Sequence, residues 1–203
     1  MPRTRIISDD SILDVALGIA RSSGPETLTF ASLASQVGLS GSTIVQRFGT
    51  KQRLLRAALV RAWDLLDQET SAAIGDASHE PSGITELLVQ LSGNYDARDF
   101  ADQLLVLRED VRDPILRERG HDWLTVLANA IEDRLPGTHA DVSGLGRTIL
   151  AQWQGTLTLW SLTQHGSVRE AVRSAIDDLL ARIGLDNPRQ RAPTGPRPTG
   201  PSQ

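Results

Sequence analysis

Apolar residues recur every three or four positions along most of the chain, which is the spacing of one buried face of an α-helix. The clearest case is the segment 10–22, whose apolar stripe consists of Ile12, Leu13, Ala16, Leu17, Ile19 and Ala20. Ser8 or Asp9 can cap this segment at its start, and Gly24-Pro25 can end it. We find no convincing alternating pattern of the kind that is typical of a half-buried β-strand. The pattern therefore predicts an all-α protein.

Eight further helices are predicted from the same spacing, with boundaries set by glycine, proline and capping residues. Their predicted ranges are 30–37, 41–48, 51–73, 84–95, 97–110, 114–135, 142–164 and 168–183. Thr29, Ser40 and Thr50 are predicted N-caps, because their hydroxyl groups can accept hydrogen bonds from free backbone N–H groups. The sequence thus predicts about nine helices and no sheet. A Pro- and Gly-rich tail, residues 186–203, is too poor in apolar residues to fold and is predicted to be disordered.

Two of these helices, 30–37 and 41–48, are short and are joined only by Gly38-Leu39-Ser40. This is the spacing of a helix-turn-helix, in which the glycine permits a tight turn and the second helix can lie in the major groove of DNA. The outward face of the second helix is predicted to be polar, with Ser42, Thr43, Gln46 and Arg47. A short helical hairpin inside a bundle often has the same turn, so the spacing alone leaves both interpretations open.

The sequence around this turn is more specific than its spacing. Residues 28–55 read LTFASLASQVGLSGSTIVQRFGTKQRLL, and this segment resembles the DNA-binding domain of the TetR family of bacterial regulators. The resemblance is dense over residues 8–60 and rests on architecture alone beyond them. It implies a three-helix helix-turn-helix DNA-binding domain at 1–50 and a connecting helix at 51–73. It also implies a C-terminal helical bundle at 74–185 that binds an effector and dimerises.

The resemblance further implies which side chains contact DNA. Matched position by position, the implied DNA-binding residues are Thr29, Gly41, Ser42, Thr43, Val45, Gln46, Arg47 and Lys51. Base-facing positions are expected for Gly41, Ser42, Val45 and Gln46, and contacts to phosphates or groove edges for Thr29, Thr43 and Arg47. Lys51, the only lysine of the chain, begins a helix whose free N–H groups and dipole favour a phosphate.

Three positions depart from the family pattern. Val45 stands where tyrosine is usual, Gly41 where lysine or another larger side chain is frequent, and Ala31 where a long polar side chain is common. Val45 can contact a thymine methyl group but cannot donate a hydrogen bond. We therefore expect modest direct readout of bases, with Arg47 and Lys51 supplying much of the affinity through phosphates.

The charged residues are distributed unevenly along the chain. Residues 1–63 carry eight basic and four acidic side chains, whereas residues 64–185 carry ten basic and twenty acidic ones. A basic head on an acidic body suggests that a polyanion binds at one end, although a difference of this size also arises by chance. Arg3 and Arg5 are equally compatible with an N-terminal arm on DNA and with an idle terminus.

The helices after residue 84 are expected to hold the effector and the dimer contacts that the resemblance implies. The candidate pocket residues are Leu104, Leu107, Arg108, Trp123, Leu127, Trp153 and Gln154. The candidate dimer residues in the last two helices are Trp160, Val172, Ile176 and Leu179. Each pocket candidate is more simply explained as ordinary core, and the dimer candidates are also compatible with the core of a single chain. The expected partners are double-stranded DNA, a second copy of the chain and a largely apolar small-molecule effector of unknown identity.

Other classes of function find little support. The chain has no cysteine, and its four histidines are scattered without the spacing of metal ligands. The segment 38–41 is not a nucleophile elbow, because no strand precedes it and the second glycine comes one place early. We expect no enzyme, no cofactor and no metal site. Without a secretory signal or an apolar run of ~20 residues, a cytoplasmic location is expected and no membrane partner.

Two hypotheses follow from the sequence. The first is a transcriptional repressor that binds an inverted-repeat operator as a homodimer and is released by a small-molecule effector. The alternative is a helical small-molecule-binding or protein-interaction module whose DNA reader is weakened. The departures at Val45, Gly41 and Ala31 keep this alternative open.

Overall fold

The computed structural model describes residues 7–93 and 97–185, and it contains no strand within these ranges. Its α-helices are Asp9–Ser23 (α1), Phe30–Val37 (α2), Gly41–Phe48 (α3), Lys51–Asp76 (α4), Ser82–Leu91 (α5), Ala97–Arg112 (α6), Pro114–Glu132 (α7), His139–Val142 (α8), Leu145–Thr163 (α9) and Val168–Arg182 (α10). A 3₁₀ turn, Pro25–Thr27, lies between α1 and α2. The all-α prediction is confirmed. The predicted tail and the arginines at positions 3 and 5 lie outside the described residues.

Helix boundaries agree best with the prediction where capping signals are strong. The helices α2 and α3 begin and end at the predicted residues. The predicted helix 142–164 differs, because Gly144 adopts a left-handed conformation with φ of 86° that separates the short α8 from α9. A left-handed residue interrupts the helical hydrogen-bond pattern, and glycine adopts this conformation without a steric penalty.

Local hydrogen bonds cap the starts of α2 and α3. The Thr29 hydroxyl accepts from the Ser32 backbone N–H at 3.0 Å, and the Ser40 hydroxyl accepts from the Thr43 N–H at 3.1 Å. Gly38 ends α2 with a φ of 70°, which is strained for any residue with a Cβ. The left-handed Gly38 and the Ser40 cap thus define where α2 ends and α3 begins.

The chain forms two separate hydrophobic cores. We call residues 7–63, which comprise α1 to α3 and the first half of α4, the head, and residues 64–185 the body. The head core is formed mainly by Ile12, Ala16, Leu28, Leu33, Ile44, Leu54 and Ala58. It also includes Val106 from α6 and Leu116 from α7, and only 1% of Leu116 is exposed. The head core is therefore completed by the α6–α7 corner, residues 106–116, which the sequence prediction assigned to the second domain.

Polar contacts reinforce this corner against α4. The Arg56 Nε donates a hydrogen bond to Asp113 Oδ2 at 2.6 Å, and the Trp63 indole N–H donates to Asp110 Oδ1 at 3.1 Å. Burial raises the pKa of Asp110, and the indole hydrogen bond opposes that rise. For Asp113, desolvation favours a higher pKa, but the Arg56 hydrogen bond and the backbone N–H of Ile115 outweigh it and lower the pKa. Both carboxyl groups thus connect the head to the corner.

The other end of α4 is attached to the body by a buried arginine. Arg134 is 3% exposed, and its guanidinium donates to the carbonyl oxygens of Ser78 at 2.8 Å, Ile74 at 2.7 Å and Ala130 at 2.6 Å. These acceptors lie at or just beyond the C-terminal ends of α4 and α7, where carbonyl groups have no helical partner. The connecting helix α4 is therefore held both at the head and at the body.

Candidate nucleic-acid interface

Ile44 is the one fully buried side chain of α3, and Phe48 packs partly buried against the same head core. Ile44 is completely buried in the head core, whereas its neighbour Val45 is 43% exposed and Gln46 is also exposed. Because successive residues of a helix point about 100° apart, the burial of Ile44 fixes the direction of Val45. The structure therefore places Val45 and Gln46 on the solvent-facing side of α3, as the DNA-reading prediction requires.

The hydroxyl groups at the start of α3 form a small network. Ser40 Oγ lies 2.8 Å from Ser42 Oγ and 2.8 Å from Thr43 Oγ1, while it also caps the helix. Gly41 begins the helix and adds no side chain. The first turn of α3 thus presents only short groups, and the hydroxyls of Ser42 and Thr43 already have partners.

Arg47 is held by the start of α1. Its Nη1 donates to the Ile7 carbonyl oxygen at 2.8 Å and lies 3.1 Å from Asp9 Oδ1. Asp9 is mostly exposed, so this ion pair is a surface one and contributes little to stability. In the free protein Arg47 therefore connects α3 to α1 instead of extending into solvent.

Lys51 also has a partner within the chain. Its Nζ donates to the Glu26 carbonyl oxygen at 2.7 Å, in the 3₁₀ turn before α2. Thr50 caps α4 at the same place by accepting from the Arg53 N–H at 3.2 Å. An ammonium group has three N–H donors, so Lys51 can keep this contact and still bind a phosphate at the start of α4.

Thr29 has a local role as well as a predicted DNA contact. Its hydroxyl donates to Ser32 Oγ at 3.0 Å while accepting from the Ser32 N–H. The hydroxyl oxygen keeps a second lone pair, but this cannot bind a phosphate oxygen, because both are hydrogen-bond acceptors. Thr29 would therefore have to release Ser32 Oγ before it could donate to the DNA backbone.

The predicted pocket residues fall into two groups. Trp123, Leu127 and Trp153 are buried in the body core, where the rings of Trp123 and Trp153 lie with their centroids 6.4 Å apart. The remaining predicted residues are exposed at the surface of the chain, namely Leu104, Leu107, Arg108 and Gln154. Those four do not line the interior of a single chain, because they lie on the outward sides of α6 and α9. Sequence periodicity had placed them on the inner side.

The predicted dimer residues require a similar correction. Trp160, Val172 and Ile176 are buried inside one chain, and Leu179 packs against the same body core. The opposite face of α9 is the exposed one, with Leu159 65% and Leu162 78% exposed. We call this exposed set the outer α9 face; it consists of Thr148, Ala151, Gly155, Thr158, Leu159 and Leu162.

The sequence does contain a signal for this outer face. Between Leu145 and Thr163 the only charged residue is Arg147, although half of the helix surface faces solvent. An exposed helix side of this length with a single charged residue is typical of a surface that a partner covers. The sequence does not identify Asp110 and Asp113, the carboxylates that join α4 to the α6–α7 corner, since no local pattern distinguishes these half-buried acids from exposed ones.

No part of the described chain is a helix both long enough and apolar enough to span a membrane. Within the same residues, no group of three or more His, Asp or Glu side chains is arranged to hold a metal ion.

Comparison with known proteins agrees with this architecture. Residues 12–58 match the family model described as bacterial regulatory proteins, tetR family. No curated protein matches the chain.

Several solved structures share the fold over most of the chain. A putative transcriptional regulator from Saccharomonospora viridis, in complex with choline, has 20% identity and a TM-score of 0.67, covering 84% of this chain and 93% of its own. A transcriptional regulator from a Rhodococcus species has 19% identity and a TM-score of 0.70, covering 89% and 99%. A TetR transcriptional regulator from Legionella pneumophila has 18% identity and a TM-score of 0.64, covering 87% and 99%.

The exposed α3, the capped turn before it and the shared fold define an architecture, a helix-turn-helix head on a helical C-terminal body. The family match over residues 12–58 assigns the helix-turn-helix to one family. Residues 12–58 thus match the TetR family of bacterial regulators, as the resemblance of the sequence implied, and the rest of the chain shares the fold of the solved structures.

Proposed function

We propose that the protein is a repressor that binds an inverted-repeat operator as a homodimer and is released from it by a small molecule. The observation that carries this proposal is the free outward side of α3, where Val45 and Gln46 face solvent next to the buried Ile44. A helix held in this way can enter the major groove of DNA. Lys51 stands at the N-terminus of α4, where a phosphate would be stabilised by free N–H groups.

The outer α9 face supports the homodimer. It carries two strongly exposed leucines, Leu159 and Leu162, and Arg147 is the one charged residue of α9; α10 packs beside this helix. Two copies joined here would form a four-helix contact from α9 and α10 of each chain. Such a dimer satisfies the geometric requirement of an inverted repeat, in which two recognition helices lie about 34–36 Å apart.

The aromatic side chains at the centre of the protein support a site for the effector. Trp63 on α4 lies 6.0 Å from Trp123 on α7, and Trp123 lies 6.4 Å from Trp153 on α9, as distances between ring centroids. A small molecule that inserted among these helices would displace α4, which carries the head. The relative from Saccharomonospora viridis binds choline, and aromatic faces bind such cations well. An effector with apolar surface, with or without a positive charge, fits this environment.

The dimer and the effector are linked in this proposal through α4. Arg134 attaches the C-terminal end of α4 to the body, and the Asp113–Arg56 pair attaches its N-terminal half to the α6–α7 corner. An effector that favours a different position of α4 would change the separation of the two heads. DNA binding would then weaken by at most the ratio of the effector's affinities for the two positions of α4.

The first experiment is selection of DNA by the purified full-length protein from a random double-stranded pool at moderate salt. We expect the selected sequences to share an inverted repeat whose half-sites are separated by about one helical turn. Absence of any sequence preference would instead favour the alternative, a small-molecule-binding or interaction module.

The substitution Lys51→Ala tests the phosphate contact at α4. We expect binding to all sequences to weaken and the slope of log K against log salt to become less negative by about 2 for a dimer, because two phosphate contacts are lost. Arg112→Ala is the control, because it removes one positive charge from an exposed position of α6, outside the proposed dimer contact and the predicted DNA-binding residues. The measurement is fluorescence anisotropy with the selected operator at several salt concentrations. Equal slopes for the two variants would contradict the assigned role of Lys51.

A further inference from the structure

The reading side of α3 contains few side chains that are free to contact a base. Arg47 is bound to Ile7 and Asp9, and the hydroxyls of Ser42 and Thr43 are bound to Ser40. In the described part of the chain, Gln46 has no hydrogen-bond partner, and Val45 is an exposed apolar side chain. Val45 and Gln46 are therefore the two groups that α3 offers without breaking an existing contact.

The chemistry of Val45 restricts what it can recognise. Valine has two methyl groups and neither a donor nor an acceptor, and the only apolar group on a base edge in the major groove is the 5-methyl of thymine. Its β-branched side chain has one strongly preferred rotamer in a helix, so the methyl groups have a fixed direction. The buried Ile44 fixes the rotation of α3 that this direction depends on.

Gly41 supplies an independent observation at the same surface. A Cβ added there would meet nothing within 4 Å, and the backbone of Gly41 is helical without a left-handed φ. The fold of the free chain therefore has no steric need for glycine at the start of α3. A missing side chain at this place lets the helix approach the base edges closely, and a short valine reaches a base only from a close approach.

We propose that Val45 is a specificity-determining residue that recognises one thymine in each half-site through its 5-methyl group, and that Gly41 permits the close approach this contact needs. The inference rests on the proposed function and specifies its substrate: an operator with an A·T pair at the position that faces Val45. Val45 would then recognise thymine by van der Waals contact and burial of the 5-methyl group, without a hydrogen bond.

The test uses the operator obtained by selection, in which each thymine is replaced in turn by deoxyuridine, which lacks only the 5-methyl group. For one thymine per half-site we expect about a fourfold loss of affinity per substituted half-site, which corresponds to the burial of one methyl group. Substitution in both half-sites is expected to give about a sixteenfold loss if the two are independent. The other thymines should show little change.

The same measurement with Val45→Ala assigns the methyl contact to this residue. Val45→Ala should bind the thymine operator more weakly, and the difference between thymine and deoxyuridine at the sensitive position should disappear. Val111→Ala, at an exposed position of α6, is the matched control and should retain the difference. Both valines are exposed, so the midpoint of thermal unfolding should change little in either variant.

Gly41→Ala tests the close approach. We expect an unchanged or slightly higher midpoint of thermal unfolding, because the added methyl group meets nothing in the free protein, together with weaker operator binding. Gly75 is another helical glycine at which an added Cβ meets nothing within 4 Å, so Gly75→Ala should bind the operator like the unmodified protein.

The possible results are distinguishable. A thymine methyl effect that Val45→Ala removes supports the inference. Selected operators that show no methyl effect, or one that persists in Val45→Ala, would overturn it and leave the repressor proposal standing. A chain that selects no operator at all would overturn the proposed function, and this inference with it.

Discussion

Gly155→Arg is expected to convert the proposed homodimer to monomers and to remove most of its operator affinity. Gly155 lies in the outer α9 face, and a Cβ added there meets nothing within 4 Å in one chain. The substitution is therefore compatible with the fold of a single chain. In a dimer joined through this face, however, it would place a charged side chain in an uncharged contact without a partner, at a large desolvation cost.

The expected loss of operator affinity follows from the separation of the two heads. The two heads of a dimer bind two half-sites with an avidity that exceeds single-head binding by about 10²-fold or more. Analytical ultracentrifugation should show a monomer, and circular dichroism should show helix content close to that of the unmodified protein.

Gly75→Arg provides the control for this substitution. Gly75 is also helical and exposed, and a Cβ added to it likewise meets nothing within 4 Å, but it lies on α4 away from the outer α9 face. Its arginine variant should remain dimeric and bind the operator. A dimeric Gly155→Arg protein would show that the outer α9 face is not the interface.

The helix-turn-helix was predictable because its determinants are local. Thr29, Gly38 and Ser40 lie within a few residues of the groups they cap, so capping chemistry identified both ends of α2 and the start of α3. The partners of Arg47 and Lys51 were not predictable in the same way. Each of these residues contacts a backbone carbonyl that is remote in sequence, and a carbonyl has no signature in the side-chain pattern.

The orientation of α9 was not predictable from periodicity. Its buried stripe includes Trp153 and Trp160, and its outer face includes Leu159 and Leu162, so both sides are rich in apolar residues and poor in charge. A hydrophobic period of 3.6 identifies such a helix but does not decide which side faces the same chain and which side faces a partner. The candidate dimer residue of α9, Trp160, therefore lies on the inner side.

The contribution of the α6–α7 corner to the head core also depends on long-range packing. Val106 and Leu116 flank a segment with several charged residues, and nothing near them in sequence indicates that they pack against α1 and α4. Their position shows that the first four helices do not enclose the head core alone. A change in the body can consequently reach α3 through direct apolar contacts.

Leu116→Ala is the substitution that tests this connection most directly. Leu116 is buried in the head core although it belongs to α7, so its truncation leaves a cavity among the helices that support α3. We expect the free energy of unfolding to fall by about 2–5 kcal/mol, as for other leucine truncations in well-packed cores. Operator affinity should fall as well, because a loosened head holds α3 less firmly.

Two controls separate this effect from general destabilisation. Leu124→Ala truncates an exposed leucine of the same helix and should cost little stability. Leu150→Ala creates a comparable cavity in the body core. Hydrogen exchange then locates the damage, since Leu116→Ala should accelerate exchange of amides in α1 and α3 more than Leu150→Ala does. Equal acceleration in the head by the two core variants would contradict the assignment of Leu116 to the head. A head-selective effect means that α7 supports α3 directly.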